Sequence, residues 1–171
     1  MVYFKFYMQK EGLDTSGSAY PVKESGSSFH VYEKESKFYG GRELKEPAKR
    51  EWHDENGDDE FLPSKPVYKA QEVEIQFACK GEIFSSNKKL KDFIDYLANS
   101  GSMKIYDEYN GIARRNVRFV SVSDATLYRK RKATDEALVF TVKLKINDPV
   151  TDVTIETDSN GNVTNLKSGN E

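Results

Sequence analysis

The chain is short of the residues that most often carry chemistry. Its 171 residues include one cysteine, two histidines, one tryptophan and three methionines. With Cys79 alone, an intrachain disulfide and a cysteine zinc cluster are both excluded. No apolar run approaches the roughly 20 residues that a membrane-spanning helix needs. Neither charge sign is in excess: 26 Lys and Arg stand against 28 Asp and Glu, a net charge of -2. That balance argues against a general nucleic-acid coat or a membrane-surface protein. The start, Met1-Val2-Tyr3-Phe4-Lys5-Phe6-Tyr7, has no basic leader and no small-residue cleavage site. It is not read as a signal peptide, so a reducing cytoplasm is the expected setting, unless the protein leaves within an assembly. Hydrophobic residues are lean at 37%, yet ten Phe and ten Tyr are present. Aromatic rings bury large areas each, so a single-domain core is within reach.

Residues 2–8 are aromatic and read as a first strand. Residues 9–28 have the Gly, Ser and Pro content of a loop, and residues 29–33 form a short strand candidate. Residues 40–66 break all periodicity. They contain Gly40, Gly41, Pro47, Gly57, Pro63 and Pro66 amid dense charge, and are expected to be a long loop without regular structure. Val73, Ile75, Phe77 and Cys79 then alternate with polar or small residues, which marks a half-buried strand. Leu90, Phe93, Ile94 and Leu97 make one apolar stripe of a helix, with Ser86 as its expected N-cap and Gly101 at its end. Residues 103–106 return to strand and lead into Asn110-Gly111, a turn dipeptide. Residues 117–122 form another strand, continued by residues 125–129 past a kink. Leu138, Phe140, Val142, Leu144 and Ile146 alternate in the cleanest strand, which Asp148-Pro149 ends. Residues 153–166 read as a small hairpin or a frayed tail. The expected fold is α+β, mainly antiparallel β with one packed helix. One domain spans residues 1–150, and residues 151–171 form a C-terminal hairpin or flexible tail. Strands and helices do not alternate regularly, which disfavours a doubly wound nucleotide fold.

Catalytic constellations find no support. His53 has Asp54 and Glu55 beside it, but neighbours in a loop rarely aim at one substrate, and no nucleophile is marked near either His53 or His30. The acidic run from Asp54 to Glu60 has its glycine fourth rather than sixth, so it fails the calcium-loop pattern. A weak cation site there is the lesser reading and a solvated acidic loop the simpler one. Asp158-Ser159-Asn160-Gly161 reads as a turn. Cys79 lies on an apolar strand face and reads as a small core residue. No metal and no cofactor is expected, and the protein is not read as an enzyme.

Charge placement is more informative. Residues 42–60 hold four basic and eight acidic side chains, a local charge of -4. Residues 114–132 hold seven basic and one acidic, a local charge of +6. The basic stretch, with Phe119 and Tyr128 interleaved, suits a nucleic-acid-binding module. It also suits a solvated face. A third reading pairs it with the acidic loop of a neighbouring copy, since head-to-tail contacts between unlike patches generate rings when the rotation closes. That reading marks Arg50, Trp52, Asp54, Glu55, Asp58 and Asp59 on the loop, and Arg114, Arg115, Arg118, Arg129 and Arg131 on the basic stretch, as subunit-interface candidates.

The segment Arg50-Glu51-Trp52-His53-Asp54-Glu55-Asn56-Gly57-Asp58-Asp59-Glu60 is similar to one in small phage and prophage tail proteins of gut Bacteroidales. The likeness continues through the helix 90–97, Met103-Lys104-Ile105-Tyr106-Asp107, Arg115-Asn116-Val117-Arg118-Phe119-Val120 and the strand ending in Asp148-Pro149. The element order resembles the N-terminal ring-forming domain of siphophage distal tail proteins, part of the wider tail-tube family. The resemblance covers roughly residues 40–150. It implies a β-sandwich or split barrel, and homo-oligomeric rings, hexamers in the wider family, around a channel in which DNA is only passing cargo. Other tail proteins would be partners. The location would be the bacterial cytoplasm during assembly and the virion tail afterwards. Residues 40–66 would reach the adjacent subunit with Trp52 as anchor; the alternative is that Trp52 folds back on its own sheet. Only a short hairpin follows Pro149, which leaves no room for the outward-projecting second domain of full-length distal tail proteins.

Overall fold

The computed structural model describes residues 4–169. Alternation builds its centre. In β6 (Gln71–Glu82), Val73, Ile75, Phe77 and Cys79 are buried and the residues between them are not. In β9 (Asp135–Ile146), Leu138, Phe140, Val142, Leu144 and Ile146 are buried on the matching face. A period of two puts each set on one side of the sheet. The two strands pair antiparallel along their whole length, from Gln71 opposite Ile146 to Glu82 opposite Asp135. β8 (Ile112–Tyr128) flanks β9, followed by β7 (Met103–Asp107), β1 (Phe6–Lys10) and β2 (Lys23–Glu24). β3 (Tyr32–Ser36) flanks β6 on the other side. The seven-stranded order is β2-β1-β7-β8-β9-β6-β3, antiparallel at every pairing. The fold is therefore α+β and mainly antiparallel.

The sheet curls. Phe6 of β1 and Phe77 of β6 are four strand spacings apart, about 19 Å in a flat sheet. Their ring centroids are 5.4 Å apart. The apolar face therefore closes on itself, and the short helix α1 (Ser25–Phe29) links β2 to β3 between the outer strands. Helix α2 (Ser86–Asn99) seats on this face. Phe93 and Leu97 are buried, and Phe93 lies 5.1 Å from Phe77 and 6.3 Å from Phe140, centroid to centroid. Burying such side chains contributes about 1.5–3 kcal/mol each before entropy is counted.

The helix start differs from expectation. Ser86 is the first helical residue, the cap position is Ser85, and no serine side chain caps the helix. The carboxylate of Glu136 on β9 accepts from the Ser86 amide at 3.0 Å instead. A tertiary neighbour thus satisfies one of the amides a helix leaves unpaired at its start. The helix end agrees: Gly101, at φ 63°, follows the C-cap Ser100.

β10 (Val153–Thr157) and β11 (Val163–Ser168) form a hairpin that docks on the outer face of the sheet. Val153 and Leu166 are buried with Ala113, the half-buried Tyr106 packs against them, and the Gln9 side chain accepts from the Leu166 amide at 2.9 Å. Residues 151–169 are therefore packed structure rather than a frayed tail. Other boundaries shift as well. The expected loop 9–28 contains β2 and α1, Phe29 ends α1, and the strand after it begins at Tyr32. The first strand is Phe6–Lys10, with residues 2 and 3 outside the described chain. Asn110-Gly111 lies in a four-residue connection rather than a two-residue turn, because Asp107 accepts both the amide and the side-chain NH2 of Asn110. No helix among the described residues is long and apolar enough to cross a membrane.

Candidate assembly surface: the arm and the hairpin tip

Residues 40–66 are not without regular structure. β4 (Ala48–Glu51) and β5 (Asp58–Phe61) pair antiparallel, Ala48 opposite Phe61 and Glu51 opposite Asp58. A bridge between Leu44 and Tyr68, with Lys45 N–H to Val67 O and Lys69 N–H to Glu43 O each at 2.8 Å, closes the base. The result is a β-arm over residues 43–69, every residue of whose two strands is exposed. From Leu44 to Trp52 it extends about 26 Å at strand spacing. The turn at its end needs Gly57, whose φ of 91° suits a residue without a side chain. At the root, the Arg42 guanidinium lies over the Tyr68 ring and donates to Val150 O at 3.4 Å.

The arm has two unlike faces, because directly opposed residues of an antiparallel pair share a side. Lys49, Glu51, Asp58 and Glu60 make one face, with Lys49 Nζ at 3.1 Å from Asp58 and 3.6 Å from Glu51. One cation against three carboxylates leaves that face acidic. Arg50, Trp52, Asp59 and Phe61 lie toward the other. Arg50 sits 3.7 Å over the Trp52 ring and Trp52 Nε1 donates to Asp59 at 3.1 Å. Trp52 therefore does not fold back on the main sheet; it stacks on its own arm and stays 41% exposed. Asp54 and Glu55 are exposed at the arm's end, as is His53. Toward the base, Leu44, Pro47, Phe61, Leu62, Pro63 and Val67 line a groove of about 600 Å³. Phe61 and Leu62 are each 72% exposed.

The basic stretch divides in two. Arg114 is buried, donates to Ala113 O, and pairs with Asp152. Arg115 Nε pairs with Asp148 at 2.8 Å. Arg129 pairs with Glu136, whose carboxylate is buried, and lies 4.8 Å over the Phe84 ring. These three arginines hold the domain together. Arg118, Lys130, Arg131 and Lys132 are exposed. Arg118 stands apart from the others by on the order of 35 Å of strand. Lys130, Arg131 and Lys132 crowd the β8–β9 turn, where Lys132 has φ 66°. Leu127, Tyr128 and Phe84 are exposed beside them. Phe84 also adopts φ 71°, a costly conformation for an aromatic residue, while presenting its ring to solvent.

The described residues contain no group of three or more His, Cys, Asp or Glu side chains placed to hold a metal ion. His30 is exposed at the end of α1. Cys79 is buried, and burial pushes its thiol up from the ordinary range. Sequence reasoning marked Tyr128 within the basic stretch but missed Phe84, Leu127, Phe61 and Leu62 as surface features. The only local signal was an apolar pair, Phe61-Leu62, set in a charged and proline-rich stretch. No protein-family model and no curated protein matches this chain.

Proposed function

We propose that this protein is a non-catalytic structural subunit of a phage or prophage tail, of distal-tail or tube type, that assembles head to tail into rings. The observation that carries the reading is the pair of unlike surfaces: an acidic arm with an exposed apolar base, and a basic turn beside exposed Phe84, Leu127 and Tyr128. Arm and turn differ in sign and shape, so the contact is heterologous, and it generates a ring where the rotation between subunits closes. Apolar burial at the groove supplies affinity, and charge sets register and encounter rate. The tail setting, passing DNA, and a hexamer rest on the sequence resemblance.

Sedimentation velocity at low and high salt tests this. Ordered oligomers are expected at low salt, shifting toward monomer as salt screens the charged contact. K130E/R131E/K132E is expected to abolish association, and adding D54K/E55K/E60K to restore it. A strict monomer at high concentration and low salt, or tip reversal without effect, overturns the arm-to-tip contact. The second reading, a nucleic-acid-binding module, draws on the exposed Arg118, Lys130, Arg131 and Lys132. Its mark is duplex binding with a steep salt slope that survives removal of the arm.

A further inference from the structure

Glu33 on β3 is 95% removed from solvent, and both of its carboxyl oxygens are buried without a hydrogen-bond partner. Beside it lies Asp107, the last residue of β7, with no exposure at all. Asp107 is richly served: it accepts from Ser36 Oγ at 2.5 Å and from the amide and side-chain NH2 of Asn110, each at 3.2 Å. Those donors suit an ionised carboxylate. Glu33 has no donor, and two adjacent buried carboxylates repel.

We infer that Glu33 is held as the neutral acid and donates its proton in a hydrogen bond to Asp107, an acid–carboxylate clasp that fastens the outer strand β3 to β7. The charged groups bearing on Glu33 agree. The charges of Asp107 and Glu108 both oppose ionising Glu33. The Lys5 ammonium at the start of β1 is engaged with Glu24 at 4.0 Å, and only the Lys5 backbone amide reaches Glu108. The α1 segment, Ser-Gly-Ser-Ser-Phe, is uncharged, and the β6 residue opposite Glu33 is Phe77. Burial, and then the negative charge of Asp107, push the Glu33 acid up to about 9. A bound cation is the competing account. Two carboxylates and one hydroxyl fall well short of the six to eight oxygens calcium takes.

The clasp sits at the root of the arm. Ser36 Oγ, which donates to Asp107, also accepts from the amide of buried Phe38, and the arm begins a few residues later. An unfolded glutamate ionises near about 4.3. Because the folded value is raised, the clasp contributes fully below that point and is lost as pH rises toward about 9. This follows from the body alone and does not rest on ring assembly.

Carboxyl-carbon NMR on the full chain tests it. Glu33 is expected to titrate about three or more pH units above the ordinary glutamate range. Thermal melts from pH 5 to 9 should show the wild type losing several degrees while E33Q stays flatter. Glu33 titrating near 4–5, or parallel pH slopes for the two proteins, overturns the clasp. So does a calcium-dependent rise in the wild-type melting temperature that E33Q lacks, which assigns the pair to a cation. If E33Q does not fold, the wild-type titration decides.

Discussion

Glu136 accepts from the Ser86 amide at the start of α2 and from the Arg129 guanidinium just past the end of β8. The Arg129 hydrogen bonds do most to hold its acid down at about 2, and the amides of Ser86 and Phe84 add to them. A lowered folded value means this stabilisation is present above the unfolded range and is lost as pH falls from about 4.3 toward 2. For Asp148 burial acts upward, yet Arg115 and the amides of Thr151 and Val150 outweigh it and hold the acid well below the usual range. E136Q is therefore expected to lower the melting temperature by several degrees at pH 7. The gap to wild type should close below pH 4, as read by circular dichroism melts. Glu33 has the opposite sign, so the two carboxyls erode the fold at opposite ends of the pH range. None of these roles was legible locally. Arg129 and Glu136 stand seven positions apart in sequence, and only the β8–β9 hairpin makes them partners.

At the scale of elements, legibility followed burial of one face. α2, β6 and β9 each bury a single stripe, so their periods of 3.6 and 2 survive in the sequence. β4 and β5 bury no face. Their segments, Ala-Lys-Arg-Glu and Asp-Asp-Glu-Phe, show no alternation, and the pair is held by backbone hydrogen bonds, the Arg50–Trp52 stack and the Lys49–Asp58 ion pair. The same contrast predicts different mutational outcomes. Phe93→Ala empties a site among Phe29, Phe77 and Phe140. It is expected to cost about 3–5 kcal/mol in urea denaturation. Trp52→Ala, on the exposed arm, should stay within about 0.5 kcal/mol of wild type by the same measurement.

For the whole molecule, the arm and the curled body separate by construction: core side chains come from the seven-stranded sheet, α1, α2, the β10–β11 hairpin and their connections, and none from β4 or β5. Replacing residues 46–65 with a short Gly-Ser turn is therefore expected to leave the thermal transition within a few degrees of wild type. Sedimentation of that variant should show monomer under all salt conditions. A large fall in melting temperature would mean that the arm supports the body, contrary to its exposure. The body also changes the meaning of the charge arithmetic. The acidic segment keeps its sign on the surface, whereas the basic stretch does not deliver its full +6, because Asp152, Asp148 and Glu136 engage three of its arginines.

By itself the sequence determined the mainly antiparallel class, the single large helix, the long central strands and the exclusion of an intrachain disulfide. Each of these follows from composition or from side-chain geometry repeated along one element. The tertiary structure alone decided the curl that brings Phe6 to Phe77, which arginines stay on the surface, the burial of Glu33 beside Asp107, and the arm in place of an open loop. Those outcomes depend on residues far apart in the chain meeting at contact distance. A local pattern carries no record of its distant partner until the sheet has closed.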